Sequence, residues 1–171
     1  MDSEKHSILS DLRAALTRDG FWSHQLSTQN QNSFTLHLAV LREPYLTFIM
    51  QGKKTVETRF AKRPCPPYQR ISKGDIVLLK QSSGRIVGIC LVEEVWFYRL
   101  SVESLGIIKE MFGSAICPAE ESFWDDRKQA AVATLLLVNR VTPVDNVQVK
   151  KRDRRSWVVF KDSDQRQACL I

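Results

Sequence analysis

The sequence predicts an α+β protein, a closed or nearly closed mixed β-barrel of five to six strands with helices at its ends. Three observations predict it. Short apolar stretches of strand length recur at residues 34–40, 76–79, 86–92, 131–138 and 156–160, and several are bounded by Gly, Pro or Ser-rich turn signals. Helical patterns interrupt them after Arg42 and after Ser101. Gly88 stands in mid-strand, where a small barrel needs a bulge or a close backbone approach to turn a corner. With 171 residues, 43% of them hydrophobic, the chain suits one domain with a substantial core.

At the start, residues 7–18 place Ile8, Leu9, Leu12, Ala15 and Leu16 at helical spacing, so an amphipathic helix is expected that stops near Gly20. It serves either as a packing or capping helix or as a docking site for a protein partner. Residues 23–33 are dominated by Gln, Asn, Ser and Thr without a hydrophobic period, and read as a linker or mobile loop. The expected organisation is therefore a helix and polar linker over 1–33, a barrel over 34–162 and a tail over 163–171. Deleting the first thirty or so residues is expected to leave the barrel folded.

The first barrel strand, 34–40, turns Phe34, Leu36, Leu38 and Val40 to one face. His37, isolated from His6 and His24, reads as a satisfied structural histidine. Pro44 suits the first helical position and Gly52 the residue past a helix end, so a short helix is expected to deliver the chain into Lys53 and Lys54. Residues 55–60 then alternate. Val56, Thr58 and Phe60 face one way, Thr55, Glu57 and Arg59 the other, and Lys54 sits at the lip of the charged face. Residues two apart on a strand are roughly 6.5 to 7 Å apart, so Glu57 and Arg59 can orient one another or grip one polar group between them. Pro64, Pro66 and Pro67 make a stiff loop, either a pocket wall or a connection. Ser101 is expected to cap a helix with an apolar stripe of Leu105, Ile108, Met111 and Phe112, and Pro118 to open another carrying Phe123 and Trp124. Trp124 is either core or a base-stacking surface. Five cations crowd 150–155, namely Lys150, Lys151, Arg152, Arg154 and Arg155, directly before the closing strand.

The spacing Gly52-x-Lys54-x-x-Glu57-x-Arg59 resembles the signature of ASCH domains, a branch of the PUA-like β-barrels associated with RNA. Leu36 to Val40 with Pro44 and Tyr45 is similar to the opening strand and helix of that family, Gly74-Asp75 to the turn before its next strand, and Ser156-Trp157 to its closing strand. The resemblance runs over about 33–161 and implies a PUA-like fold and recognition of single-stranded RNA, a nucleotide or a modified nucleobase. Lys54, Glu57, Arg59 and Tyr45 would then bind the ligand. Some ASCH-like proteins deacetylate N(4)-acetylcytidine with a lysine and a threonine of this octet, yet Glu57 occupies the threonine position here, and Thr55 is the substitute on offer. Another branch resembles a ribonuclease on single-stranded RNA, for which Lys54, Tyr45 and Ser156 are the matching catalytic candidates. A protein-docking adaptor is the third reading. As a base, Lys54 would need a lowered pKa, which Lys53 and Arg59 favour and Glu57 opposes.

A net charge of +6 and a pI near 9.3 favour an anionic partner, nucleic acid before an acidic membrane surface. Lys53 and the run Lys150, Lys151, Arg152, Arg154 and Arg155 are the expected phosphate contacts, the run being otherwise a solvated turn or a nuclear import signal. Cys65, Cys90, Cys117 and Cys169 form no C-x-x-C pair, so reduced thiols, no metal and no cofactor are expected. No apolar run approaches the roughly 20 residues that span a bilayer. An intracellular place is expected, cytoplasmic or, in a compartmented cell, nuclear.

Overall fold

The computed structural model describes residues 2–150 and 154–160. Among these, six strands form one curled sheet: β1 (Leu36–Leu41), β2 (Val56–Ala61), β3 (Ile76–Gln81), β4 (Ile86–Arg99), β5 (Val132–Pro143) and β6 (Trp157–Phe160). Their order is β2-β5-β4-β3-β1-β6. Only the β1–β3 pair is parallel, and every other neighbouring pair is antiparallel. The helices are α1 (Asp2–Ala15), α2 (Gly20–Gln25), α3 (Tyr45–Met50) and α4 (Val102–Ile116). The result is a mixed α+β fold of six strands curled into a half-barrel with helices, the class and strand number expected from the sequence.

The curl follows from the long strand β4. Its register shifts against β3 between Leu79 and Lys80, and against β5 between Ile89 and Leu91 and again between Val92 and Glu94. Each irregularity adds local twist and bends the strand. Gly88 lies in this zone. A Cβ there would stand 2.7 Å from Met50 Sδ and 3.3 Å from the Thr142 carbonyl oxygen, so the close approach read from the sequence is real and brings α3 against the sheet. The outer strands β2 and β6 are bridged by one side chain: Arg59 on β2 lies over the ring of Trp157 on β6 and donates to the carbonyls of Val40 on β1 and of Ser156 just before β6. That guanidinium nearly closes the barrel where strand pairing leaves it open.

Alternation along β1 sends Leu36 and Leu38 to a cluster with Ile8, Leu9, Leu12, Leu16, Trp22 and Leu26, while Ala39 and Leu41 join Leu46, Ile49 and Trp157 on the opposite side. A third cluster gathers Val56, Ile108, Ile116 and Phe123 where α4 meets β2. The first of these corrects the reading of the N-terminal stretch. Residues 23–33 are no free linker: α2 is capped by the Asp19 side chain, Trp22 is buried, and its indole donates to Thr142 Oγ1 at 2.8 Å. Turns at Ser27, Asn30 and Ser33 then lead into β1. The absence of a hydrophobic period hid this, because two large side chains, Trp22 and Leu26, anchor a short helix without any repeat. Ile8, Leu9 and Leu12 of α1, with Leu16 just after it, are likewise covered by the barrel's own residues, while Ala15 of the expected stripe is exposed.

Two smaller expectations also shift. Ser101 does cap α4, in a reciprocal capping box with Ser104, but Met111 is 67% exposed while Ile116 is buried in its place. After Pro118 the chain makes two 3₁₀ turns, Glu121–Phe123 and Asp125–Arg127, instead of a helix. Phe123 is buried and Trp124 half-buried against it at 5.0 Å between ring centroids. Among the described residues no helix is long and apolar enough to cross a membrane, and no three His, Cys, Asp or Glu side chains are grouped to hold a metal ion.

Candidate functional site

A cleft of 380 Å³ opens between the start of β2, α3, the 3₁₀ turns and the start of β6. The local backbone explains how its floor is laid. Gly52 adopts φ +73, a left-handed conformation that favours glycine. The chain can then reverse so tightly that the Phe48 carbonyl accepts from both Lys53 N and Lys54 N. Lys54 is thereby turned inward. Its ammonium donates to the Val56 carbonyl at 2.8 Å and to the Ile116 carbonyl at the end of α4 at 2.9 Å, and lies 3.5 Å from Glu57 Oε2. Lys54 and Glu57 are 2% and 6% exposed, so the expected placing of Lys54 at an open lip is corrected: it is a floor residue.

Glu57 is flanked on its other oxygen by Arg59, with Nε 3.0 Å from Oε1. The three charges form one row of cation, carboxylate and cation, and the pairing of Glu57 with Arg59 is the one the strand alternation predicts. The Nε–H does not point at the carboxylate, and Arg59 Nε has no hydrogen-bond partner among the described residues. Its Nη atoms reach the Ser156 and Val40 carbonyls at 3.4 and 3.2 Å, and its guanidinium lies 5.0 Å from the centroid of the Trp157 ring. Trp157 is set in turn by donating its indole N–H to His37 Nδ1, whose Nε2 meets Asp75 Oδ2 at 3.1 Å. The buried His37 is thus the structural residue it was expected to be.

Burial is the main influence on Lys54 and pushes its pKa below the ordinary lysine value; Glu57 pulls it back up and Arg59 pushes it down again. The net direction is downward because burial outweighs the charges; of the charges weighed from sequence, Glu57 acts more strongly than Arg59. Yet the ammonium has three protons and three acceptors around it, the carbonyls of Val56 and Ile116 and the carboxylate of Glu57. Acceptors that bond the charged form favour it. Protonated, Lys54 therefore has an acceptor within the floor for each of its three N–H bonds.

Of the residues singled out in the sequence, Tyr45, Lys54, Glu57, Arg59 and Ser156 all line this one cleft. The Tyr45 hydroxyl accepts from Ala119 N at 3.3 Å, and its ring lies 5.5 Å from Lys54 Nζ. Others fall elsewhere. Lys53 is exposed, lies 5.8 Å from the Phe48 ring and does not line the cleft. Thr55, the substitute nucleophile, precedes β2, where its backbone bonds to Ala115 and Val138, and it too is outside the cleft. Lys150 is exposed, with its backbone N–H held by Glu4; Arg154 and Arg155 are exposed just before β6; Lys151 and Arg152 lie outside the described residues. Sequence reasoning missed Arg127. It lines the cleft from the second 3₁₀ turn, its guanidinium carbon 3.4 Å from the Phe123 ring centroid, its Nη1 donating to the Phe123 carbonyl and its Nε unpartnered among the described residues. An arginine four residues after a buried aromatic carries no local signature of such a place.

A family model for the ASCH domain matches residues 40–143, more than half of the chain. The fold is similar to the crystal structure of ASCH from Zymomonas mobilis, with a TM-score of 0.58 and 14% identity over 78% of this chain and 92% of that one. Two variants of the Zymomonas mobilis protein are similar to the same extent of this chain. One carries a tyrosine-to-phenylalanine change (TM-score 0.58, 14% identity, 95% of that chain) and the other a serine-to-alanine change (0.56, 14%, 93%). No curated protein matches. With its family model running from the end of β1 through β5 and its fold shared with a solved member, the chain belongs to the ASCH domain family.

Proposed function

We propose that the cleft binds RNA through a nucleobase, single-stranded or otherwise splayed from its stack, with Glu57 accepting from the base edge and arginines holding the adjoining phosphate. One observation carries this reading: a buried carboxylate that lines the cleft sits between two cations, one at each of its oxygens. A carboxylate so placed suits an exocyclic amine or ring N–H. The Nε–H groups of Arg59 and Arg127 add buried donors suited to carbonyl or phosphate oxygens. A volume of 380 Å³ lies within the roughly 300–1,000 Å³ of ordinary ligand pockets. Arg154 and Arg155 beside Ser156, with Lys150, supply phosphate contacts that position a strand without reading it. The partner is thus an RNA or nucleotide met inside the cell, in the cytoplasm or nucleus. The test is binding of purified protein to single-stranded, duplex and base-modified RNA, followed by product analysis. Preference for unpaired bases without turnover supports this function, and failure to bind any of them removes it.

A second reading, a hydrolase acting on single-stranded RNA or a modified nucleoside, is favoured by a specific juxtaposition. Tyr45, Lys54 and Ser156 share the cleft, and a tyrosine and a serine are the residues replaced in the Zymomonas mobilis variants. Turnover that Lys54→Met abolishes while RNA still binds would establish it. The three acceptors around Lys54 weigh against Lys54 as a free base. A protein-docking role for α1, the third reading, would have to use its exposed face, because Ile8, Leu9, Leu12 and Leu16 are buried against the barrel.

A further inference from the structure

A second cavity, of 710 Å³, shares Ser156 with the cleft and is walled by the proline-rich loop and the beginning of β6. Its charged lining consists of Arg70 and Arg155. Pro64, Pro66 and Val159 give it apolar walls. The loop is firmly set. Pro67, Tyr68 and Ile71 are buried, the Tyr68 ring meets Phe97 edge-on at 5.6 Å, and short turns join Tyr68 N to the Cys65 carbonyl and Arg70 N to the Pro67 carbonyl. Such a wall exists before any ligand arrives, so little ordering is needed to use it.

We propose that this cavity is a second nucleotide subsite, in which Arg70 and Arg155 hold the phosphate that joins the cleft-bound nucleotide to its neighbour, and the neighbour's ribose or base lies on Pro64, Pro66 and Val159. This rests on the RNA reading of the cleft and deepens it: the preferred ligand spans at least two nucleotides. Ser156 is the shared wall over which the strand passes. An acidic peptide is the rival occupant, but the continuity with a cleft that holds a buried carboxylate favours a ligand offering N–H donors at one end and phosphate at the other.

Cys65, an exposed free thiol on the cavity wall, provides the readout. Its alkylation by a maleimide is followed by peptide mapping in the presence of a nucleoside monophosphate, a dinucleotide, a single-stranded RNA hexanucleotide or hexaglutamate. The dinucleotide and hexanucleotide are expected to slow alkylation about tenfold and the monophosphate to leave it unchanged. In Arg70→Gln that protection disappears, and the ratio of hexanucleotide to monophosphate affinity falls about tenfold, the effect of one charge-assisted hydrogen bond. If the dinucleotide binds with dependence on Glu57 and leaves Cys65 equally reactive, the subsite is overturned and the RNA reading of the cleft survives. If no RNA binds the parent protein, both fall. Equal protection by hexaglutamate would overturn the nucleotide assignment.

Discussion

Glu57→Gln keeps the shape of the side chain but leaves the buried Lys54 and the part-buried Arg59 without their shared counter-charge. Removing one partner of a buried ion pair costs roughly 3–5 kcal/mol, so a loss of that order is expected in urea unfolding. Lys54→Met strips the donor from two carbonyls, Val56 and Ile116, and each buried acceptor left unsatisfied costs about 1–3 kcal/mol. Cys90 gives a prediction in pH. Full burial raises its thiol pKa well above the ordinary 9.0, so above that value the unfolded chain loses a proton that the folded chain keeps. Stability contributed by Cys90 is therefore complete below pH 9.0 and falls as pH rises, by about 1.4 kcal/mol per unit; Cys90→Ala should remove this alkaline slope in unfolding measured on both proteins. At this scale, the Glu57–Arg59 pair was legible because a period of two decides it locally. The burial of Lys54 was not, since one of its acceptors, the Ile116 carbonyl, lies 62 positions away. Nor was Arg127, whose place depends on packing against Phe123.

The helix α1 belongs to the barrel's energetics. Leu12 is fully buried among Leu16, Leu36 and their neighbours, and Leu12→Ala is expected to cost roughly 2–5 kcal/mol in thermal or urea unfolding. The same packing reverses the expectation that residues 1–33 can be deleted harmlessly: the truncated chain should expose Leu36, Leu38 and Ile76 and lose its cooperative thermal transition. Retention of that transition would mean the cluster contributes little. In β4, Gly88→Ala should cost roughly 1–3 kcal/mol, as overpacking does, because Met50 can swing its sulfur aside but the Thr142 carbonyl is part of the sheet. Strands and capped helices were readable from alternation, Ser101 and the Pro44 and Gly52 pair. The helix α2 was not, because its anchor is a bond from Trp22 to Thr142, 120 residues along the chain. The 3₁₀ turns after Pro118 resemble a helix in sequence because aromatics at 123 and 124 fit either.

As a whole the molecule is a sheet bent until its two outer strands meet across an arginine, and the cleft is what remains of the gap. The half-barrel and the family were legible because short strands, two interrupting helices and one octet occur in a fixed order. The cavity beyond Ser156 was not, since its two walls are separated in sequence by three strands of the sheet and joined only by the curl. A net charge of +6 makes phosphate attraction a property of the entire surface. Neutralising Lys150, Arg154 and Arg155 together should weaken binding of every RNA sequence alike, and reduce the slope of log affinity against log salt by roughly 0.7 for each phosphate no longer neutralised by the protein. The central claim is that Glu57 reads a base, and calorimetric titration of the four nucleoside monophosphates into the parent and Glu57→Gln, both kept below their unfolding transitions, tests it most directly. The parent is expected to prefer a base that presents an N–H donor to Glu57, and the glutamine variant to shift that preference by roughly 1 to 3 kcal/mol. An identical ranking of the four in both proteins would contradict it and leave the row Lys54, Glu57 and Arg59 as a structural bridge that closes the barrel.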